Sequence, residues 1–396
     1  MKIWQKIAGI TWTGMMMMTL AMLSIPMKVA AGTPEFARSE EEWARLRDNV
    51  IEYEELTDLV HEYNATVKKN RIDLNQFRKD YGDTNEEWAD RYRELADDLE
   101  ASLDYPDIED LEYSSIMTNI VTSEMQIEAW RETADDALED YLTYYYDTSL
   151  AECILASQAQ TYMINWHLGQ LQMEHDEKTL ALLNEQFRSI QTKQSLGLAT
   201  EAQVLAMRES VRNAEKAVQD DKDAQQNLYQ RMIVMLGWSH DALPEVREIP
   251  EVDLERVAAM DPVADKTVAM ENSFLMKSDK RKLENAKAQD SRETLQETIA
   301  ENEQSIGAAL VAGHQNVLAA QASYDLNVVL AELERDNLRM ANLEYGLGRI
   351  SRLDLSDQEL KTAQAELAEE SAKLQWFQSV ESYDWLLQGL AGASSS

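Results

Sequence analysis

Tyr345-Gly346-Leu347-Gly348-Arg349-Ile350-Ser351-Arg352-Leu353-Asp354 decides how this chain folds. Before it runs a long charged and apolar stretch without proline; after it Leu353, Leu360, Leu367 and Leu374 recur every seven residues, the period of a helix seam. Two glycines stand where a helix must stop, and Ser351, followed three residues later by Asp354, can cap the helix that restarts. The stretch predicts a helical hairpin with its tip at 346–351.

Almost the same device occurs earlier, at Gly197-Leu198-Ala199-Thr200-Glu201-Ala202-Gln203-Val204. A shift of 151 residues lays Gly197 on Gly348, Thr200 on Ser351, Gln203 on Asp354 and Val204 on Leu355. The same shift brings Asn213-Ala214-Glu215-Lys216-Ala217 onto Gln364-Ala365-Glu366-Leu367-Ala368. A break and the helix after it match in one register, so an internal duplication is the economical reading.

A Gly-x-x-Ser/Thr-x-x-Asp/Gln-Val/Leu break between two long helices, present twice with an Ala-rich helix after each, resembles the TolC family of efflux conduits. Met235-Leu236-Gly237-Trp238 is similar to the Leu-Gly that closes that family's first repeat. Leu56 to Asn70 is similar to its opening helix, and Pro262 to Gln289 to the counterpart in the second repeat. The resemblance covers most of the chain after residue 50, and the duplicated arrangement carries it. It implies a homotrimer whose six hairpins close a tube, acting with a periplasmic-type adaptor and a membrane transporter, ABC or similar.

Composition agrees with long helices: 13 Gly, 6 Pro and 5 Phe in 396 residues, with 28% charged. The formal charge of -36 makes nucleic acid and anionic lipid surfaces poor partners. Cys153 is the only cysteine, which excludes a disulfide within one chain and an N-terminal lipid-modified cysteine.

Residues 1–31 read as a signal peptide, with Lys2 and Lys6, an apolar run centred on Met15 to Leu23, and Val29-Ala30-Ala31 before Gly32. The alternative is an uncleaved anchor, giving membrane association through residues 7–25. Either way the body of the protein is expected outside the cytoplasmic membrane, in the cell envelope. Residues 32–237 then form the first helical repeat with its tip near 195–200, 238–261 a linker with Pro244 and Pro250, 262–390 the second repeat, and 391–396 a disordered tail.

Along the chain, Glu40 to about Lys69 is expected as helix, Asn70 to Thr84 as a break around Gly82, and Glu86 to Leu103 as helix ended by Asp104-Tyr105-Pro106-Asp107. From Ile108 helix is expected to continue to the first tip, with Trp166, Met173, Leu180 and Phe187 as its stripe and Gly169 marking a close approach or a kink. Val204, Met207, Val211, Ala214 and Val218 form the returning seam. One helix from Val263 to about Gln289 and a long one from Thr294 to Leu343 complete the second repeat. The outer-membrane branch of the resembling family carries a pair of β-strands in each repeat that together close a barrel. Neither Asn70 to Ser123 nor Ala286 to Ser305 holds the alternating segment a membrane strand needs. The expected fold class is thus all-α: internally duplicated, long antiparallel helical hairpins without a membrane β-barrel.

No catalytic, cofactor-binding or metal constellation stands out. His61, His167, His175, His240 and His314 are scattered, with no His or Cys partner at ligand spacing, and Gly346-Leu347-Gly348 is too short to cradle a phosphate. The candidate contacts for an adaptor are the tips: Gly197, Leu198, Thr200, Gly348, Ile350 and Ser351. Asp354 and Asp357, three apart on one helical face, are candidate tunnel-entrance acids by the resemblance; the other reading is a cap and a solvated acid. Three functional readings remain: a passive conduit component of an efflux or export system, a structural or scaffolding coiled-coil protein of the envelope, and an adaptor-like hairpin protein bridging a membrane pump to the wall. No sequence feature supports an enzyme.

Overall fold

A computed structural model describes residues 38–107 and 113–392, and those from Ser39 onward belong to one compact unit. The signal or anchor read in residues 1–31 lies outside the described residues. Four long helices dominate: α6 (Tyr141–Ser195), α7 (Glu201–Met235), α11 (Gln289–Gly346) and α12 (Arg352–Trp385). At about 1.5 Å per residue, α6 and α11 each extend roughly 80 Å. α6 folds back into α7 and α11 into α12, giving two antiparallel hairpins.

The 151-residue register runs through both hairpins. On the returning helices the buried positions are Val204, Val211, Val218, Gln225 and Met232 in α7, and Leu355, Thr362, Trp376 and Tyr383 in α12. Adding 151 to the first set gives the second, with Glu369 opposite Val218. The polar members are bonded: Gln225 Nε2 donates to Trp166 O at 2.8 Å, although its Oε1 is buried without a partner, Thr362 Oγ1 donates to Glu334 O at 3.0 Å, and Glu369 accepts from Arg335 Nη2 at 2.6 Å. Gly169 is a close approach, since a Cβ there would sit 2.4 Å from the Gln225 amide nitrogen. The expected α7 seam is present, whereas Leu353, Leu360, Leu367 and Leu374 are only half-buried. The deepest α12 residues lie two positions further on, because α12 has α11 on one side and α6 on the other and so carries two stripes. Trp166, Met173, Leu180 and Phe187 are likewise half-buried; Met163, Ile164 and Leu182 are the deep positions of α6.

Contacts between the hairpins run through α6 and α12, so the sequence across them is α7, α6, α12, α11. Two cores fix this. The first gathers Leu56, Leu59 and Val60 of α2 (Leu56–Tyr63) with Met163, Ile164, Met232, Ile233, Phe377 and Trp385. The second gathers Ala269, Met276, Ile306, Leu310, Val317, Trp376, Val380 and Tyr383.

The opening segments are more broken than the periodicity implies. Glu40 to Lys69 is not one helix: α1 (Glu40–Arg45), strand β1 (Val50–Ile51), a single 3-10 turn and α2 precede α3 (Ala65–Tyr81), which runs through residues expected as a break. Asn64 separates α2 from α3; its Oδ1 accepts from Thr66 N–H at 2.8 Å and its Nδ2 donates to Met235 O at 2.8 Å. In the second repeat Ser273 likewise splits the expected single helix into α9 (Pro262–Asn272) and α10 (Phe274–Asn285), behind a short α8 (Leu254–Ala259). There Asn272 Nδ2 donates to Leu387 O at 2.8 Å, the counterpart of the Asn64 brace. A glycine with positive φ closes each returning helix against these breaks, Gly237 beside Tyr63 and Gly389 beside Phe274.

The repeats differ most between their short and long helices. In the second, residues 286–288 lead directly from α10 to α11; in the first, an antiparallel pair, α4 (Asn85–Ala101) and α5 (Tyr113–Asp135), is inserted. A break at 136–140 therefore interrupts the helix expected from Ile108 onward. Asp136 anchors it, accepting backbone N–H bonds from Lys287 at 2.6 Å and Ala288 at 3.0 Å. Where barrel strands were sought there are helices, and among the described residues the only strands are β1 and β2 (Glu245–Val246), a two-residue parallel pair. No described helix is long and apolar enough to cross a membrane. The tail does not become disordered at Ala391: that residue is fully buried in the second core and accepts a hydrogen bond from Ser273 Oγ.

Candidate functional site: the hairpin tips and the outer helix faces

Both tips are built by the same bonds. Gly197 at φ 73° and Gly348 at φ 69° adopt the left-handed conformation that ends each outgoing helix. Leu198 N–H donates to Lys193 O at 2.8 Å and Arg349 N–H to Glu344 O at 2.9 Å, the same five-residue closure. Thr200 and Ser351 then cap the returning helices, their hydroxyls accepting from the N–H groups of Gln203 and Asp354, whose side chains bond back to the cap N–H at 2.8 and 2.9 Å. Nothing lies within 4 Å of where a Cβ would stand at Gly197, Gly346 or Gly348, so the turns require backbone freedom rather than space.

Leu198 is 75% exposed, whereas Ile350 is half-buried. The sequence reading missed Leu196 and Leu347, 68% and 67% exposed at equivalent places just before each glycine. Their signal was the register itself, which pairs 196 with 347.

Asp354 and Asp357 do different things. Asp354 is the capping-box acid, and the backbone N–H and hydroxyl of Ser351 hold its carboxyl below the usual carboxylate range. Asp357 accepts a hydrogen bond from Gln186 Nε2 across the α6–α12 interface at 3.0 Å. Beside it Ser356 Oγ lies 3.4 Å from Glu185 Oε2. Arg352 pairs along its own helix with Glu359 at 3.0 Å. Among the described residues no group of three or more His, Cys, Asp or Glu could hold a metal ion.

α11 exposes Leu326, Val329, Leu333, Met340 and Leu343 along one run that ends at the exposed Leu347 of the tip. Leu333 is 54% exposed, while its register equivalent Leu182 on α6 is 8% exposed. The difference is a neighbour: α6 has α12 alongside, and among the described residues α11 has no equivalent helix.

No family model matches the sequence, and no curated protein does. Solved structures match in fold. The outer-membrane channel OprN is 13% identical with a TM-score of 0.54, over 88% of this chain and 92% of that one. A membrane protein from Pseudomonas aeruginosa is 10% identical with a TM-score of 0.56, over 96% and 99%. The outer membrane protein VceC from Vibrio cholerae is 11% identical with a TM-score of 0.50, over 88% and 98%. The fold is therefore TolC-like, as the duplicated tips implied, in an all-α form.

Proposed function

We propose that this protein is an exported, passive conduit component of an efflux or export system in the cell envelope, acting as a homotrimer with an adaptor at its tips and a partner transporter. The carrying observation is the bare apolar face of α11. Exposed runs of this kind mark protein interfaces. The repeat register says what belongs there. Inside one chain α6 packs on α12; moving each by 151 residues turns that interface into α11 against the α7 of another copy.

The contacts transform sensibly. Trp385 Nε1 donates to Gln160 Oε1 at 2.6 Å within the chain, and its register equivalents are Val234 and Val311, exposed by 50% and 46%. Ser356 and Glu185 become Leu205 and Asp336; Leu205 is 52% exposed. Exposed Val234 and Val311, one on each helix, thus fall opposite each other, and head-to-tail repetition of such an interface closes a ring when its rotation closes. Leu196, Leu198 and Leu347 would face the adaptor.

The test is light scattering on the purified protein at micromolar concentration, with export measured in cells. A trimer that Leu333→Asp converts to monomer, and loss of export in cells carrying only that variant, support the conduit. A monomeric wild type, or unchanged export of a dye and peptide panel on gene deletion, contradicts it.

The envelope scaffold remains the second reading, favoured by the α4–α5 insertion. The pair is strongly acidic, with Asp90, Glu94, Asp97, Asp98 and Glu100 on α4 and Glu124, Glu128 and Glu132 on α5, chemistry suited to water rather than lipid. A trimer with no effect on export would favour it.

A further inference from the structure

The inter-repeat linker does not lie flat on the hairpins. Between α6, residues 248–252 and α12 a cleft of about 530 Å³ opens. Its apolar wall is Leu171, Met173, Ile249, Val252, Leu374 and Phe377, continuous with the first core through Ile249, Val252 and Phe377. Its rim carries Glu174, Glu177, Glu248, Glu251 and Glu370 against one cation, Lys373. Lys373 is held by Glu251 at 2.7 Å, while Glu174 and Glu177 pair with Lys178 and Lys222, each at 2.9 Å. Glu248 and Glu370 form no salt bridge among the described residues, although Glu370 lies near enough to Lys373 to favour its charged form.

The linker beside this cleft is neither helix nor strand from Arg247 to Asp253. Arg247 N–H bonds Ile51 O at 3.0 Å, ending the β1–β2 pair, and His167 Nε2 lies 2.9 Å from Arg247 O. Burial holds the His167 imidazole below its usual range, so at neutral pH the ring is neutral and Nε2–H donates to that carbonyl. This bond tethers the linker to α6 at one point. From Glu248 to Val252 no backbone N–H or C=O has a hydrogen-bond partner among the described residues, although Ile249 and Val252 turn inward. Unused backbone donors and acceptors beside an apolar wall are what an added strand pairs with. Pro250 removes one donor and leaves those of Glu248, Ile249, Glu251 and Val252.

We infer that this cleft is a docking site for an extended, basic segment of a partner protein, whose alternate apolar side chains enter the cleft while its Lys or Arg residues meet Glu248 and Glu370. Charge selects the occupant: the rim is acidic, the whole chain carries -36, and an acidic or phosphate-bearing partner would be repelled. The site needs only one chain, since α6, linker and α12 are contiguous within it. It is separate from the tips and from the bare face of α11, so its failure would leave the conduit reading intact.

The experiment is fluorescence anisotropy of the full chain with a labelled decapeptide of alternating lysine and leucine, against decalysine and the glutamate–leucine analogue, at about 150 mM salt. Lysine–leucine is expected to bind more tightly than decalysine, and the glutamate analogue not to bind. Glu248→Lys with Glu370→Lys should weaken binding about tenfold, whereas Glu128→Lys with Glu132→Lys on α5 should leave it almost unchanged. Amide exchange at Glu248, Ile249, Glu251 and Val252 should slow in the complex. Equal weakening by both charge-reversal pairs would reduce the effect to bulk charge and overturn the site, as would equal binding of decalysine, no binding, or unprotected linker amides.

Discussion

The two hairpins are one design placed in two surroundings. From Ala159 to Leu236 and from Leu310 to Leu387 they share register, glycine turns, capping boxes and a seven-residue buried stripe. They differ on one flank: α6 is covered by α12, and α11 is bare. Leucine occupies the same register position on both, buried at 182 and exposed at 333. Local sequence thus specifies the hairpin, and the flank is completed by whatever stands next to it. In the first hairpin that is the second; for the second, we propose another copy.

The largest expected effect separates these flanks. Leu182→Asp buries a charge between hairpins and should destabilise the chain by about 3–5 kcal/mol. Leu333→Asp should change the stability of the dilute monomer by less than about 0.5 kcal/mol while dispersing the assembly. Urea denaturation and light scattering read the two outcomes, and equal destabilisation would break the comparison.

The glycines come next. A Cβ at Gly237, at φ 94°, would lie 2.3 Å from the Tyr63 Cβ, so Gly237→Ala is expected to cost about 3 kcal/mol. Gly197→Ala and Gly348→Ala meet only backbone strain and should cost about 1 kcal/mol each, matching one another in thermal denaturation. The caps are of similar size: Thr200→Ala and Ser351→Ala should each lose about 1 kcal/mol. A marked inequality in either pair would show that the tips are not equivalent.

The smallest effect is a pH difference between the tips. Asp354 has a depressed pKa in the fold, so its contribution is present above the unfolded value of 3.8 and is lost as pH falls through the folded value. Gln203, its counterpart, does not titrate. Acidification below the ordinary carboxylate range should loosen the cap at Ser351 and leave that at Thr200, as followed by the amide signals of Leu355 and Val204. Asp354→Asn should abolish the difference; parallel loosening of both caps would contradict it.

The turns were legible because glycine and a capping residue must be written at fixed places. The buried stripe was legible in α7 at Val204, Val211 and Val218 and not beyond them, because Gln225, Thr362 and Glu369 continue it through hydrogen bonds that composition does not reveal. The half-buried leucines of α12 were easier to see and pointed two residues away. The breaks at Asn64 and Ser273 lack Gly and Pro and resemble any polar helix position until their side chains are seen capping. The exposed run of α11 had no local signature, since a sequence does not say whether the surface that covers a residue belongs to its own chain. The cleft beside the linker is assembled from three distant segments, with no local motif to announce it.

The central claim is that the α6–α12 interface recurs, displaced by one repeat, between copies. Its most direct test is cross-linking in a Cys153→Ser background. The Gln186–Asp357 contact maps onto Asn337 and Ala206, so chains carrying both Asn337→Cys and Ala206→Cys should oxidise to covalent dimers and trimers and stop there. Equimolar mixtures of the two single variants should give only dimers containing one chain of each. Failure of the double variant to cross-link, or self-linked dimers from either single variant, would contradict the account.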